Sequence, residues 1–143
     1  SASQLGVRHT RRLAGVGKVL RSQWADGLTL PDEIGVSPSV STKYPVISVP
    51  YGALVPRKVD GLLAGGKHIS CDANSHGFMR EIPQCWLTGQ AAGAAAALSV
   101  SAGVQPRALD VRILQNELRR QGVFLNDQPE QVAQPTQTNA AAG

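Results

Sequence analysis

The apolar positions change spacing three times along the chain. Val46-Ile47-Ser48-Val49-Pro50-Tyr51 is short and β-branched, which predicts a strand, and Ala53-Leu54-Val55 continues it or opens another. Val59-Asp60-Gly61 reads as a turn, and Leu62-Leu63-Ala64-Gly65 as a buried strand. From Pro83 to Ser101 the residues are uncharged and rich in Ala and Gly, which predicts a long buried helix. Its length would be roughly 28 Å at 1.5 Å per residue. Gly103 ends it as a C-terminal cap. Asp110 caps a last helix in which Val111, Leu114 and Leu118 share one face, and Gly122 closes it.

The remaining segments are less periodic. Within residues 1–30, Val7-Arg8 ends a strand, Arg11–Leu20 holds a short helix or a hairpin arm, and Trp24 anchors a loop. Residues 27–45 are rich in Gly, Pro, Ser and Asp, with breaks at Pro31, Pro38 and Pro45, and read as one long loop. From Asp127 the sequence is mostly Gln, Pro, Thr, Asn and Ala, which predicts a flexible tail over 127–143.

Composition narrows the class. The 143 residues fit one domain by size. Fifteen glycines, nine prolines and only 4% aromatic residues imply many turns and a thin core, which favours packing against a partner. The net charge of +4 gathers at Arg8, Arg11, Arg12, Lys18 and Arg21, but no nucleic-acid motif or aromatic interleaving accompanies it. Nucleic-acid binding is therefore not expected. Cys71 and Cys85 make neither a disulfide framework nor a metal site. The uncharged run Ile82–Gln105 is long enough to span a bilayer but contains Gln84, Thr88, Gln90, Ser99 and Ser101, so no membrane span is expected. No signal peptide is visible, and a cytoplasmic location is the expectation.

The chemistry concentrates before and within the long helix, over Arg80-Glu81-Ile82-Pro83-Gln84-Cys85-Trp86-Leu87-Thr88-Gly89-Gln90-Ala91-Ala92-Gly93. Pro83 suits a first turn, because it has no N–H to leave unpaired. The first-turn N–H groups and the positive end of the helix dipole favour negative charge placed against them. The small residues that follow let backbone approach a neighbour closely. Gly61-Leu62-Leu63-Ala64-Gly65-Gly66-Lys67-His68 nearly matches a phosphate-binding loop, but His68 stands where Ser or Thr must bind magnesium, and no helix opens there.

Gly89-Gln90-Ala91-Ala92-Gly93, preceded by Arg80 and Pro83, resembles the C-terminal flavin-binding segment of FAD-dependent oxidoreductases related to fumarate reductase and succinate dehydrogenase flavoproteins. Two further blocks agree in order: Gly6-Val7-Arg8-His9-Thr10-Arg11-Arg12, and Val49-Pro50-Tyr51-Gly52-Ala53-Leu54-Val55-Pro56 followed by Gly61–Gly66 and Ile69-Ser70. The resemblance covers most of residues 6–122. It implies FAD as cofactor and hydride transfer between flavin and a small organic substrate. It also implies an α+β or α/β class: short strands and a long Ala/Gly-rich helix, forming the C-terminal part of a Rossmann-like FAD-binding fold.

Such folds begin with a βαβ unit carrying Gly-x-Gly-x-x-Gly. Here Gly15-Val16-Gly17-Lys18-Val19-Leu20 starts that pattern and fails at Leu20. The chain therefore reads as the C-terminal portion of a flavoprotein. Residues 1–126 contact flavin, and a larger polypeptide carries the missing unit, either as a separate chain or as a part cut away. On this reading Gly65 and Gly66 let the cofactor lie against backbone, although Lys67 departs from the family's usual Ala-Gly-Arg. Pro83, Gln84, Cys85, Gly89 and Gln90 form the flavin-facing helix end, with the N–H groups of Gln84 and Cys85 near the pyrimidine edge. The alternative for this segment is ordinary helix packing through Gly89 and Gly93.

Three side chains are candidates for catalysis. Arg80 offers a planar fork to a substrate carboxylate or carbonyl, or polarises the flavin; otherwise it forms a salt bridge to Asp72 or Glu81. His76 lies in the loop before the helix and, histidine being the residue type most suited to proton transfer, reads as an acid–base group or as a structural residue. Tyr51 donates a proton, lines the pocket or packs in the core. Arg8, Arg11 and Arg12 reach the active site or tie down the N-terminus. The competing function is a non-catalytic interaction subunit that keeps the fold without cofactor.

Overall fold

A computed structural model describes residues 11–38 and 46–126. The described elements run α1 (Arg21–Ala25), β1 (Glu33–Pro38), β2 (Val46–Pro50), α2 (Ala73–Met79), α3 (Ile82–Ala102) and α4 (Val111–Arg120), with short 3-10 turns at Tyr51–Ala53 and Pro106–Ala108. It is a mixed α+β arrangement: one two-stranded antiparallel sheet with helices packed around it. Val7-Arg8 and the tail expected from Asp127 lie outside the described residues.

α3 forms as its sequence dictates. Pro83 sits in its first turn, and Gly103 closes it in the left-handed conformation at φ +64°, its N–H bonding back to Ser99 and Val100. α4 starts at Asp110, whose carboxylate accepts the Arg112 N–H. Leu114 and Leu118 are buried against the core, with Val111 partly covered beside them.

Elsewhere the structure departs from expectation. Residues 27–45 contain β1, which pairs with β2 in the register Val36↔Ser48, Ser37↔Ile47 and Pro38↔Val46. A bulge between Glu33 and Val36 breaks the two-residue alternation, and the flanking prolines hide the strand from a pattern search. Ala53-Leu54-Val55 turns away from the sheet after the Tyr51–Ala53 turn. Leu62–Gly65 is no strand: Leu62 is half exposed, and Ala64 bonds the Leu54 carbonyl from an irregular segment. Residues 73–79 form α2 where a loop was expected.

Arg11–Leu20 is neither helix nor hairpin arm. From Leu13 to Val19 the backbone crosses two others, with bridges Gly15↔Pro56 and Val19↔Cys71 on either side of a bend at Val16-Gly17. Bonds such as Gly17 N–H to the Gly52 carbonyl at 2.8 Å stitch the crossing. A Cβ at Gly52 would lie 2.8 Å from the Gly17 nitrogen, and one at Gly15 would lie 2.7 Å from the Ser70 Cβ. The Gly15-Val16-Gly17 run thus serves backbone-to-backbone packing here.

Asp72 joins this layer to the helices. Its Oδ1 accepts the Ser75 N–H at 2.7 Å and caps α2, while Oδ2 accepts the Arg21 N–H at 2.8 Å at the start of α1. Burial pushes the Asp72 carboxyl upward, but the bonds from Arg21 and Ser75 outweigh it and hold it below the ordinary range. Trp24, expected to anchor a loop, lies instead in α1; it is buried and donates its indole N–H to Ser75 Oγ at 2.8 Å, edge-on to Phe78.

Gly52→Ala should destabilise the chain by about 2 kcal/mol, the scale of overpacking. Gly77→Ala, whose added Cβ meets nothing within 4 Å, should be neutral or stabilising by up to about 1 kcal/mol; urea unfolding of both checks this. Asp72→Ala should cost about 1 kcal/mol near neutral pH, as loss of a helix cap does. Because the folded carboxyl sits below its unfolded value, that stabilisation is present above the unfolded pKa and lost as pH falls through the folded one. The stability gap between wild type and variant should therefore narrow below about pH 4.

Candidate functional site

The N-terminal half of α3 and the Gly65-Gly66-Lys67 segment meet at one place. A Cβ on Gly65 would lie 3.1 Å from the Gly89 Cα and 3.2 Å from the Thr88 carbonyl oxygen, so a side chain here would press on the backbone of α3 and force a small shift. Gly66, at φ +86°, turns the chain and donates its N–H to Thr88 Oγ1 at 2.8 Å. The Thr88 hydroxyl in turn donates to the Gln84 carbonyl at 2.8 Å. Thr88 is fully buried and fixes this junction, yet the sequence reading passed over it. A lone threonine within an Ala/Gly-rich run was the available signal.

Cys85 and His76 border the same junction. The Cys85 thiol donates to the Arg80 carbonyl at 3.6 Å, and its sulfur lies 3.9 Å from where a Gly66 Cβ would be. Burial pushes the thiol's pKa up, against the attraction of nearby Lys67. His76 lies 2.8 Å from the Lys67 carbonyl through Nε2. A carbonyl can only accept, so that nitrogen carries a proton. His76 is not on a loop, because Asp72 caps a helix through it, and its ring is buried. Its bond to Lys67 orders the glycine segment.

Arg80 stands just before α3 with its guanidinium largely covered. Its Nε lies 3.8 Å from Glu81 Oε1 and 3.5 Å from the Gly77 carbonyl, so the Glu81 pairing of the two weighed is the one formed. Gly65, Gly66, Cys85, Gly89, His76 and Arg80 therefore border one region, with Pro83 exposed in the adjoining first turn.

Other candidates point elsewhere. The Tyr51 hydroxyl donates to the Pro106 carbonyl at 2.9 Å, beyond the C-terminal end of α3. Burial pushes this phenol up to about 12, so it stays protonated. Gln84 is buried and its amide donates to Ser37 Oγ in β1 at 2.8 Å. Gln90 is exposed and reaches Gln121 after α4 at 3.0 Å. The Cys85 N–H bonds the Glu81 carbonyl at 3.0 Å, which removes it from the donors expected to face a ligand. Arg12 donates to the Cys71 carbonyl at 3.0 Å and helps hold the N-terminal segment; Arg8 lies outside the described residues.

The faces of α3 are inverted. Gln84, Thr88, Ala91, Ala95 and Ser99 point inward. Ile82, Trp86, Gly89, Gly93, Ala97 and Val100 point outward, with Trp86 74% and Val100 83% exposed. That outward stripe carries neither charge nor hydrogen-bonding side chain, apart from the Trp86 indole N–H. Cβ atoms on Gly89 and Gly93 would meet nothing within 4 Å among the described residues, so the outward side of each glycine is open even though the Gly89 backbone lies against Gly65. A solvated helix normally shows the opposite pattern. No helix among the described residues is long and apolar enough to cross a membrane.

Compared with known protein families, residues 1–118 match the family described as FAD dependent oxidoreductase. No curated protein and no solved structure matched the chain.

The raised thiol pKa has a measurable consequence. At pH 7.5 Cys85 should alkylate with iodoacetamide more slowly than free cysteine, and the rate should rise with pH beyond the free-thiol value of about 8.5. Peptide mapping over a pH series checks it, and a rate equal to that of free cysteine throughout would contradict the buried placement.

Proposed function

Because the chain belongs to the FAD dependent oxidoreductase family, whose cofactor is FAD, we propose that it forms the C-terminal, flavin-contacting portion of such an enzyme. The observation that carries this reading is the open, uncharged face of α3 at Gly89 and Gly93, beside the Gly65–Gly89 backbone contact. A broad planar group needs such a surface: backbone within reach and no Cβ in the way. An exposed apolar stripe on a helix also marks a surface that another body covers.

The residues fit the cofactor without the Gln84 and Gln90 side chains, which are engaged by Ser37 and Gln121, and without the Cys85 N–H, which is engaged by Glu81. Gly65, Gly66, Gly89 and Gly93 would lie against it, and the first turn of α3, free of acidic residues, would supply a favourable dipole. Cys85 would contribute through its side chain rather than its N–H. FAD supplies hydride acceptance or donation when bound. Arg80, held by Glu81, would orient an anionic or carbonyl group of a small organic substrate, and His76 would act by fixing Lys67 and the glycine segment. The rest of the stripe, from Ile82 and Trp86 to Val100, would be covered by the polypeptide that carries the dinucleotide-binding βαβ unit. A Rossmann-like enclosure then consists of that unit together with this portion.

The test is Gly89→Leu, with flavin per chain read from visible absorbance and stability from unfolding. The added side chain starts in open space, so stability should hold or rise by up to about 1 kcal/mol. Flavin affinity should fall at least tenfold, about 1.4 kcal/mol. Wild-type flavin content in that variant would overturn the reading, as would a wild-type assembly with its partner polypeptide that holds no flavin. The second result would favour an interaction subunit.

A further inference from the structure

A separate cavity of about 230 Å³ lies where the start of β1 meets α4 and the segment after it, lined by Thr29, Leu30, Pro31, Glu33, Gln115 and Leu125. Glu33 is only 2% exposed. Its Oε1 accepts the Asn126 backbone N–H at 2.6 Å, and its Oε2 accepts from Asn126 Nδ2 at 3.3 Å. Both partners are neutral, and no cationic side chain pairs with Glu33 among the described residues. A buried carboxylate is costly until positive charge or further donors reach it. A carboxylate has about four lone-pair sites, and two are used.

The rest of the lining has the same polarity. Both amide hydrogens of Gln115 are spent, on the Pro31 carbonyl at 3.1 Å and the Glu33 carbonyl at 3.0 Å, which leaves its Oε1 as an acceptor. Thr29, exposed at the edge, adds a hydroxyl, while Leu30, Pro31 and Leu125 are apolar. The cavity thus combines one anion, neutral acceptors and aliphatic wall. The geometry points to a binding site for a small primary ammonium ion with a short aliphatic chain. Its three N–H donors match the carboxylate, the Gln115 amide oxygen and the Thr29 hydroxyl. The volume holds roughly seven waters at about 30 Å³ each, enough for an alkylammonium of a few carbons.

Two rivals fit less well. Hard metal ions need six or more oxygens, commonly several carboxylates. No group of three or more His, Cys, Asp or Glu that could hold a metal occurs among the described residues. Asp32, the neighbouring acid, already accepts the Gly52 N–H at 2.9 Å. A guanidinium prefers both oxygens of a carboxylate at once, and Asn126 occupies that fork.

The full chain should be titrated with butylammonium, and separately with butan-1-ol and butyrate, following the amide resonances of Glu33, Gln115 and Asn126. Butylammonium should give saturable shifts in the millimolar range, and the neutral and anionic analogues should not. Glu33→Gln should weaken binding at least about tenfold, the scale of one charge-assisted hydrogen bond. Because that change also touches the Asn126 contact, Thr29→Trp provides a second variant that leaves it intact and should block the edge of the cavity. Absence of saturable shifts in the wild type, an equal response to butan-1-ol, or unchanged binding in both variants would overturn the assignment.

Discussion

The arrangement rests on one steric condition: three backbones must cross with no side chain between them. At Gly15 and Gly52 even a methyl group would collide with main-chain atoms or the Ser70 side chain, and at Gly17 it would press on the Gly52 backbone at 3.0 Å. Only because residues 13–19 lie this close can they bond Pro56 on one side and Cys71 on the other. That fixes where 52–56 run, with Ala53, Leu54 and Val55 in the core. Leu54 in turn holds Ala64 through its carbonyl, and Ala64 delivers Gly65 to the surface of α3. Arg107 secures the outer end of the same stretch, bridging Asp60 at 2.7 Å and reaching the carbonyls of Pro56 and Val59. The position of the candidate site is thus inherited from a crossing between distant parts of the chain.

α3 is the second organising feature, and it works against habit. Its inward polar groups are mostly spent on structure: Thr88 on Gly66 and its own preceding turn, Gln84 on Ser37. These bonds set the rotation of the helix about its axis. An all-alanine inner face would slide or rotate more easily, because non-directional packing specifies angle weakly. The hydrogen bonds on one side therefore determine which residues, Gly89 and Gly93 among them, face away on the other.

Much of this was legible in the sequence, and the exceptions have physical causes. α3, its proline start and Gly103 stop, and the Asp110-capped α4 follow from local rules that hold wherever the helix ends up. The Gly65–Gly66 segment and the Gly89 region are each legible as backbone left bare for a close neighbour, while their mutual contact is a tertiary fact that no local pattern carries. β1 escaped because a bulge and two prolines disguise its period. α2 escaped because Asn74, Ser75, His76 and Gly77 are poor helix formers; Asp72 as a cap and burial of Met79 override them. Leu62–Gly65 looks like a strand on composition alone, which cannot reveal that no strand among the described residues pairs with it. The partners of Tyr51, Gln84 and Gln90 lie 55, 47 and 31 residues away, beyond any local pattern.

Asp72 also couples parts of the chain in time. α1 has five residues, too few to persist as an isolated helix, and its first N–H is held by a carboxylate 51 positions away that also starts α2. Trp24 and Ser75 add a second tie between the same two helices. Neither helix can open while the other keeps its end in place without breaking both ties. Amide exchange in Arg21–Ala25 and Ala73–Met79 therefore belongs to one cooperative unit, opening and closing together despite the distance between them in sequence.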